Sequence, residues 1–283
     1  MSLFRNLPKI LDRLAETIKA NSTFFIAYNL LLLIGLYPLL AWDKLTIFLF
    51  INKHHHPFLD QFFFYLTHLG SGITYGLLML CLFLLKVPYR KLLIGVTTFG
   101  VMSVIIQVLK RLIFSHHVRP IKFIELAEEA VHLHLVDNVE VLTHLSFPSG
   151  HAGTIFAAVA FLSLFGIRDP DEIFLSAAQK CFNKMLKNAE SQTPGRVYQL
   201  PVTYLLLVFI QVKLLNLCYR LQHVFHLLLL LIAFLVAYSR IYLCQHFYTD
   251  IYVGALIGGW TAFLVNALLV DWRMPNWLAT RFP

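Results

Sequence analysis

Apolar residues come in runs long enough to cross a bilayer, separated by short polar segments, and this alternation predicts an all-α, polytopic membrane bundle of about six transmembrane helices. Residues 1 to 20 set Leu3, Phe4, Leu7, Ile10, Leu11, Leu14 and Ile18 at near-helical spacing among Arg5, Lys9, Arg13 and Lys19. That is the pattern of an amphipathic helix on the inner membrane surface, and without a small-residue cleavage site it does not read as a signal peptide. A first span follows from Thr23 to Trp42. The stretch Asp43 to Gly70 mixes charges and histidines with Phe58, Phe62, Phe63, Phe64 and Tyr65, and reads as an interfacial helix on the far side. Spans at about Ser71 to Leu85 and Leu92 to Leu109 flank the basic turn of Lys86, Arg90 and Lys91. After a long loop from Leu112 to Phe147, a fourth span starts at Pro148 and ends near Gly166.

Residues 167 to 200 carry mixed charge and read as a soluble inner-side insertion. Two apolar runs follow, Val202 to Leu217 and Val224 to Tyr238, broken by Tyr219-Arg220-Leu221-Gln222-His223. If both crossed, the polar clusters on either side would face opposite sides of the membrane. The pattern therefore predicts that only the second crosses, while 202–217, with Gln211, Lys213 and Asn216, lies at the inner interface or extends the next helix beyond the bilayer. The last span, about Ile251 to Val270, carries Gly254 and Gly258 at the spacing that lets helices approach closely. The expected division is a cytoplasmic amphipathic helix at 1–22, a transmembrane domain at 23–273 with a cytoplasmic insertion at about 167–218, and a cytoplasmic tail at 274–283.

Composition agrees with this reading: 58% of the 283 residues are hydrophobic, 13% are charged, and the mean hydropathy is +0.70. The net charge of +8 sits between apolar runs, so it serves topology and lipid headgroups, and nucleic acid is not an expected partner. Four Lys or Arg in the amphipathic start, three in the 86–91 turn and five in 167–200 place those segments inside. The four cysteines lack paired spacing, so neither a disulfide framework nor a zinc site is expected. His54, His55 and His56 are consecutive and point in different directions on a helix, a poor arrangement for one metal ion.

Charge gathers where the spans have no structural need of it. Ser239 to Asp250 sets Arg240, His246 and Asp250 between two apolar runs, and His246 and Asp250, at i and i+4, share a face if a helix starts there. Two more clusters fall at the same ends of their spans: Lys110 or Arg111 with Arg119-Pro120, and Pro148-Ser149-Gly150-His151. Cleaving a phosphate monoester requires neutralised charge on its oxygens, an in-line nucleophile and an acid for the leaving oxygen. Lys110, Arg119 and Arg240 supply charge, and the Ser149 hydroxyl with the amides of Ser149, Gly150 and His151 at a helix start supplies further donors. Gly150 allows close approach of the backbone. No carboxylate cluster of the kind that holds Mg²⁺ is present, and no metal or cofactor is expected. Cys244 reads as packing, and His116, His117, His132, His134 and His144 as surface residues of the outer loop.

The three clusters, their order and their placing against about six spans resemble the type 2 phosphatidic acid phosphatase (PAP2) superfamily of membrane lipid phosphatases. The second and third match the family pattern throughout. In the first, the family's lysine stands seven residues before the arginine, a position held here by Leu112, while Lys110 and Arg111 stand nine and eight before Arg119. A slightly longer loop brings either to the same phosphate, and the resemblance favours Lys110. It further implies that His246, oriented by Asp250, is the nucleophile that forms a phosphohistidine, and that His151 is the general acid and base. The implied activity is hydrolysis of a lipid phosphate or pyrophosphate, of phosphatidate, phosphatidylglycerophosphate, polyprenyl pyrophosphate or lipid A type. The implied location is the outer face of a bacterial inner membrane. A phosphotransferase using the same residues and a non-catalytic phosphate-binding or transport protein are the competing readings; charge at span ends, not mid-span, argues against transport.

Overall fold

A computed structural model describes residues 2–127, 131–140, 142–165 and 202–271. The expected insertion at 167–200 and the tail at 274–283 lie outside the described residues. Every described element is helical, as the apolar periodicity predicts.

Helix α1 (Ser2–Ala20) ends at Asn21, whose side-chain amide donates to the Thr17 carbonyl at 2.8 Å, and α2 (Ser22–Ala41) starts at once. α1 docks at the far end of the last helix through an Arg13–Asp271 ion pair of 2.7 Å and a bond from the Asn266 amide to the Thr17 hydroxyl at 3.0 Å. Asp43 caps α3 (Lys44–Lys53), accepting from the Leu45 and Thr46 amides at 2.9 and 3.0 Å. His56 caps α4 (Pro57–Leu66), with Pro57 in the first turn where its missing N–H costs nothing.

Asp43 to Gly70 is thus two helices and not one, because Pro57 cannot continue α3. A 3₁₀ turn (Thr67–Gly70) then leads through a 60° bend into α5 (Gly72–Leu84), restarted by the Ser71 cap. At 13 residues α5 is too short to cross alone, so the second span is at most a bent pair with α4.

The chain continues through α6 (Tyr89–Val108), a π turn (Leu109–Ile113), α7 (Pro120–Leu126), α8 (Gly150–Ser163), α9 (Val202–Tyr242) and α10 (Tyr248–Leu269). The break expected at 219–223 is absent: none of those residues is Gly or Pro, and His223 meets the Thr23 hydroxyl on α2 at 2.5 Å. α9 is one helix of 41 residues, about 60 Å, twice the bilayer core. Residues 202–216 are helical and run without a break into the apolar span Leu217–Tyr242. Among the described residues four helices can cross by length and hydropathy, five with the bent pair, and α8 is apolar but only 14 residues long.

The core forms where α8 and α10 meet. A Cβ on Gly254 would fall on the Ser149 carbonyl oxygen, and one on Gly258 on the Gly153 carbonyl. Only glycine lets the two backbones touch at both points. α2 runs antiparallel along the other side of α10, where the hydroxyls of Tyr28, Tyr252 and Tyr248 donate to the carbonyls of Ala255, Leu32 and Gly35 at 2.9–3.2 Å. These contacts fix where α10 begins relative to α8, and the charged residues lie there.

Candidate active site

Four helix ends meet at one end of the bundle. α9 closes with the Arg240 carbonyl accepting the amides of Gln245 and His246 at 2.9 and 3.1 Å, while buried Cys244 takes a positive φ of 56° to make the turn. Phe247 then caps α10, and Asp250, three residues on, accepts the Phe247 amide at 3.0 Å. The Ser149 amide donates to the Asp250 carbonyl at 2.9 Å and ties the start of α8 to the start of α10.

His246 and Asp250 share a face as their spacing predicts, with Nδ1 3.3 Å from Oδ2. They are 1% and 3% exposed. The Ser146 hydroxyl donates to the same Oδ2 and lies 3.5 Å from Nδ1. With Nδ1 held by the carboxylate, Nε2 is the atom left for chemistry. Burial pushes the His246 pKa from 6.5 down to about 3, against the opposing pull of Asp250, and so the ring is neutral.

Three cations surround this pair: Lys110, Arg119 and Arg240 are 9%, 7% and 7% exposed. None takes part in any ion pair among the described residues. Arg119 caps α7 and is gripped by carbonyl-type acceptors, from Nε to the His144 carbonyl at 3.0 Å and from Nη1 to the Gln245 carbonyl and side chain at 2.8 and 3.1 Å. Burial lowers its pKa and the Asp250 charge opposes the shift. Arg240 donates from Nη1 to the Thr67 hydroxyl at 2.8 Å, and its buried Nε has no partner. A buried guanidinium without a counter-charge is costly.

Lys110 lies on the π turn, whose extra residue carries it into the cluster, while Arg111 is exposed and bonds to Gln107 at 3.1 Å. Ser149 is fully buried and caps α8, accepting from the Ala152 amide at 3.5 Å. Its own amide is committed to Asp250, contrary to the expectation that it serves as a free donor; the amides of Gly150 and His151 remain. A Cβ on Gly150 would meet nothing within 4 Å, so neither packing nor a positive φ requires glycine there. His151, partly buried on the first turn of α8, adjoins the same space.

All the residues singled out in the sequence except Arg111 come together here. Ser146 and Thr67, outside the three clusters, and Gln245, within the third, do so as well. His134 is not a free surface residue: its ring pairs with Asp60 at 3.0 Å and stacks on His55, and Asn52 bonds its backbone at both edges. His54 bonds the Phe50 carbonyl and His56 caps α4, so the triplet serves three separate local ends. Among the described residues no group of three or more His, Cys, Asp or Glu converges as metal ligands would. An apolar cavity of about 710 Å³ opens between α2–α3 and α9–α10; Ile241 and Ile251 line it, each beside a charged residue of the site.

No curated protein matches the chain. Among solved structures, LpxE of Aquifex aeolicus is 24% identical, over 78% of this chain and 93% of that one, with a TM-score of 0.47. A transmembrane PAP2 type phosphatidylglycerolphosphate phosphatase from Bacillus subtilis is 20% identical, over 90% of this chain and 98% of that one, with a TM-score of 0.46. The family model of the PAP2 superfamily matches residues 123–274, more than half of the chain and including both site histidines, and the protein therefore belongs to that superfamily.

Proposed function

We propose that this multi-pass membrane protein is a metal-independent lipid phosphatase, working through a phosphohistidine on His246 at the outer face of a bacterial inner membrane. The observation that carries the reading is the charge balance of the buried site. Among the described residues Lys110, Arg119 and Arg240 have no carboxylate partners, while the one carboxylate at the site, Asp250, is occupied by His246, Ser146 and a backbone amide. Three positive charges against one negative leave a net charge that matches a phosphate dianion.

The division of roles between the two histidines is the one the superfamily resemblance implies, and the geometry supports it. Asp250 holds the His246 Nδ1–H, and Nε2 attacks phosphorus as the P–O bond to the lipid breaks. His151 donates a proton to the departing lipid oxygen, which leaves as an alcohol. It then takes a proton from water, which attacks the phosphohistidine, breaks the P–N bond and frees inorganic phosphate. The cations and the Gly150 and His151 amides hold the equatorial oxygens throughout. The apolar cavity and the flanking spans suit a substrate with hydrocarbon chains, a lipid phosphate or pyrophosphate. The basic segments at 86–91 and 167–200 support a cytoplasmic position for the opposite end of the bundle, with α1 and the insertion on that side.

The test is phosphate release from a panel of lipid phosphates by detergent-solubilised protein in EDTA, with His246→Ala beside it. Release that persists in EDTA and vanishes in the variant supports the reading. No release, equal release by the variant, or loss in EDTA refutes it. Product analysis with added alcohol separates hydrolysis from phosphotransfer.

A further inference from the structure

Asp60, Phe63, Thr67 and Gly70 recur at i, i+3, i+7 and i+10, one face of α4 continued into the 3₁₀ turn. That face is turned toward protein. Phe63, 4% exposed, packs on Tyr238 and Tyr242 of α9 with ring centroids 5.4 and 4.8 Å apart. Asp60 accepts from the Tyr242 hydroxyl at 2.5 Å. One turn deeper, the buried Thr67 hydroxyl accepts from Arg240 Nη1 at 2.8 Å. Gly70 ends the stripe, where a Cβ would stand 2.9 Å from the His151 carbonyl oxygen and 3.1 Å from its Cβ. The 60° bend comes after the turn, where the chain leaves Gly70 for α5.

We propose that the Thr67–Gly70 turn is a fourth segment of the catalytic apparatus, in which Thr67 is a positioning residue that aims the Arg240 guanidinium at the phosphate and Gly70 seats His151. The inference rests on the phosphatase reading of the site. The choice of partner explains the role. A guanidinium has five N–H donors in a fixed plane, and holding one edge of it fixes the direction of the rest. A carboxylate in this place would neutralise the charge that the phosphate needs. A neutral hydroxyl restrains the side chain and leaves the charge intact, and the buried, unpartnered Nε shows that donor capacity is still unspent.

The test uses the full-length protein in detergent and inorganic phosphate as the ligand, with affinity measured by calorimetry. Thr67→Val removes the hydroxyl at nearly constant volume, Thr67→Ser keeps it, and each is also placed in an Arg240→Ala background. The expected result is a phosphate affinity weakened roughly tenfold or more by Thr67→Val, the scale of a lost hydrogen bond to a charged group. Thr67→Ser restores it to within a few-fold, and Thr67→Val has no further effect once Arg240 is gone. Wild-type-like affinity in Thr67→Val, equal weakening by Thr67→Ser, or a full additional loss in the Arg240→Ala background overturns the proposal while leaving the phosphatase reading in place. A wild type that binds no phosphate overturns both.

Discussion

Gly254→Ala tests whether the α8–α10 contact sets the catalytic geometry. The added Cβ would fall closer than 3.0 Å to the Ser149 carbonyl, a backbone atom that cannot rotate away, whereas ordinary contact begins at 3.4 Å. The start of α8 must therefore retreat from α10 by roughly half an ångström or more. Ser149, Gly150 and His151 ride on α8, while Asp250 is on the first turn of α10 and His246, just before that helix, is bonded to it, so the retreat opens the site along the line joining its two halves. A misplacement of about 1 Å at a reacting centre costs on the order of 100-fold, so half of that costs about tenfold. Overpacking also lowers stability by about 1–3 kcal/mol. Gly76→Ala is the control, since its Cβ meets nothing within 4 Å, and it should match wild type in activity and be equal or better in thermal stability. The assay is kcat/KM for phosphate release, paired with a thermal melt in the same detergent. A Gly254→Ala protein with wild-type kcat/KM would refute the reasoning.

Gly150→Ala should leave thermal stability unchanged, because the Cβ enters open space, yet lower kcat/KM by about tenfold or more by occupying the approach to the phosphate; unchanged kcat/KM speaks against that approach. Lys110→Ala should cost on the order of 100-fold in kcat/KM and Arg111→Ala no more than a few-fold, since only the first side chain is buried in the cluster, and equal losses would contradict that placement. His246 has its folded pKa lowered from 6.5 to about 3, so it binds fewer protons folded than unfolded in that interval. The stability it supports is present above about pH 6.5 and is lost as pH falls toward 3. His246→Asn should therefore flatten the acid-side fall of the thermal midpoint, and an unchanged acid limb would show that His246 is not the buried neutral group described.

The charged site was legible in the sequence because a bilayer gives Arg240, His246 and Asp250 no structural reason to sit between apolar runs, and because Gly254 and Gly258 mark the helix contact that brings them to Ser149. What escaped was set by tertiary contact. The π turn that separates Lys110 from Arg111 leaves no mark in hydropathy. Ser146 and Gln245 are polar residues in polar segments, and nothing local shows that one reaches Asp250 and the other Arg119. Thr67 was hidden by reading Asp43 to Gly70 as one aromatic interfacial helix; the spacing of Asp60, Phe63, Thr67 and Gly70 was the available signal. Among the described residues fewer than six helices qualify as spans by length because α5 and α8, at 13 and 14 residues, are shorter than a full crossing, and residues 202–216 join α9 because nothing at 219–223 breaks a helix.

The phosphohistidine is the central claim, and the most direct measurement is to trap it. Wild-type protein quenched rapidly after mixing with a lipid carrying a radiolabelled phosphate should hold label stable to alkali and lost in acid, as a P–N bond requires. The account predicts that this label maps to His246 and is absent from His246→Ala. Label on another residue, or turnover of labelled lipid with no phosphoenzyme in either protein, would contradict it.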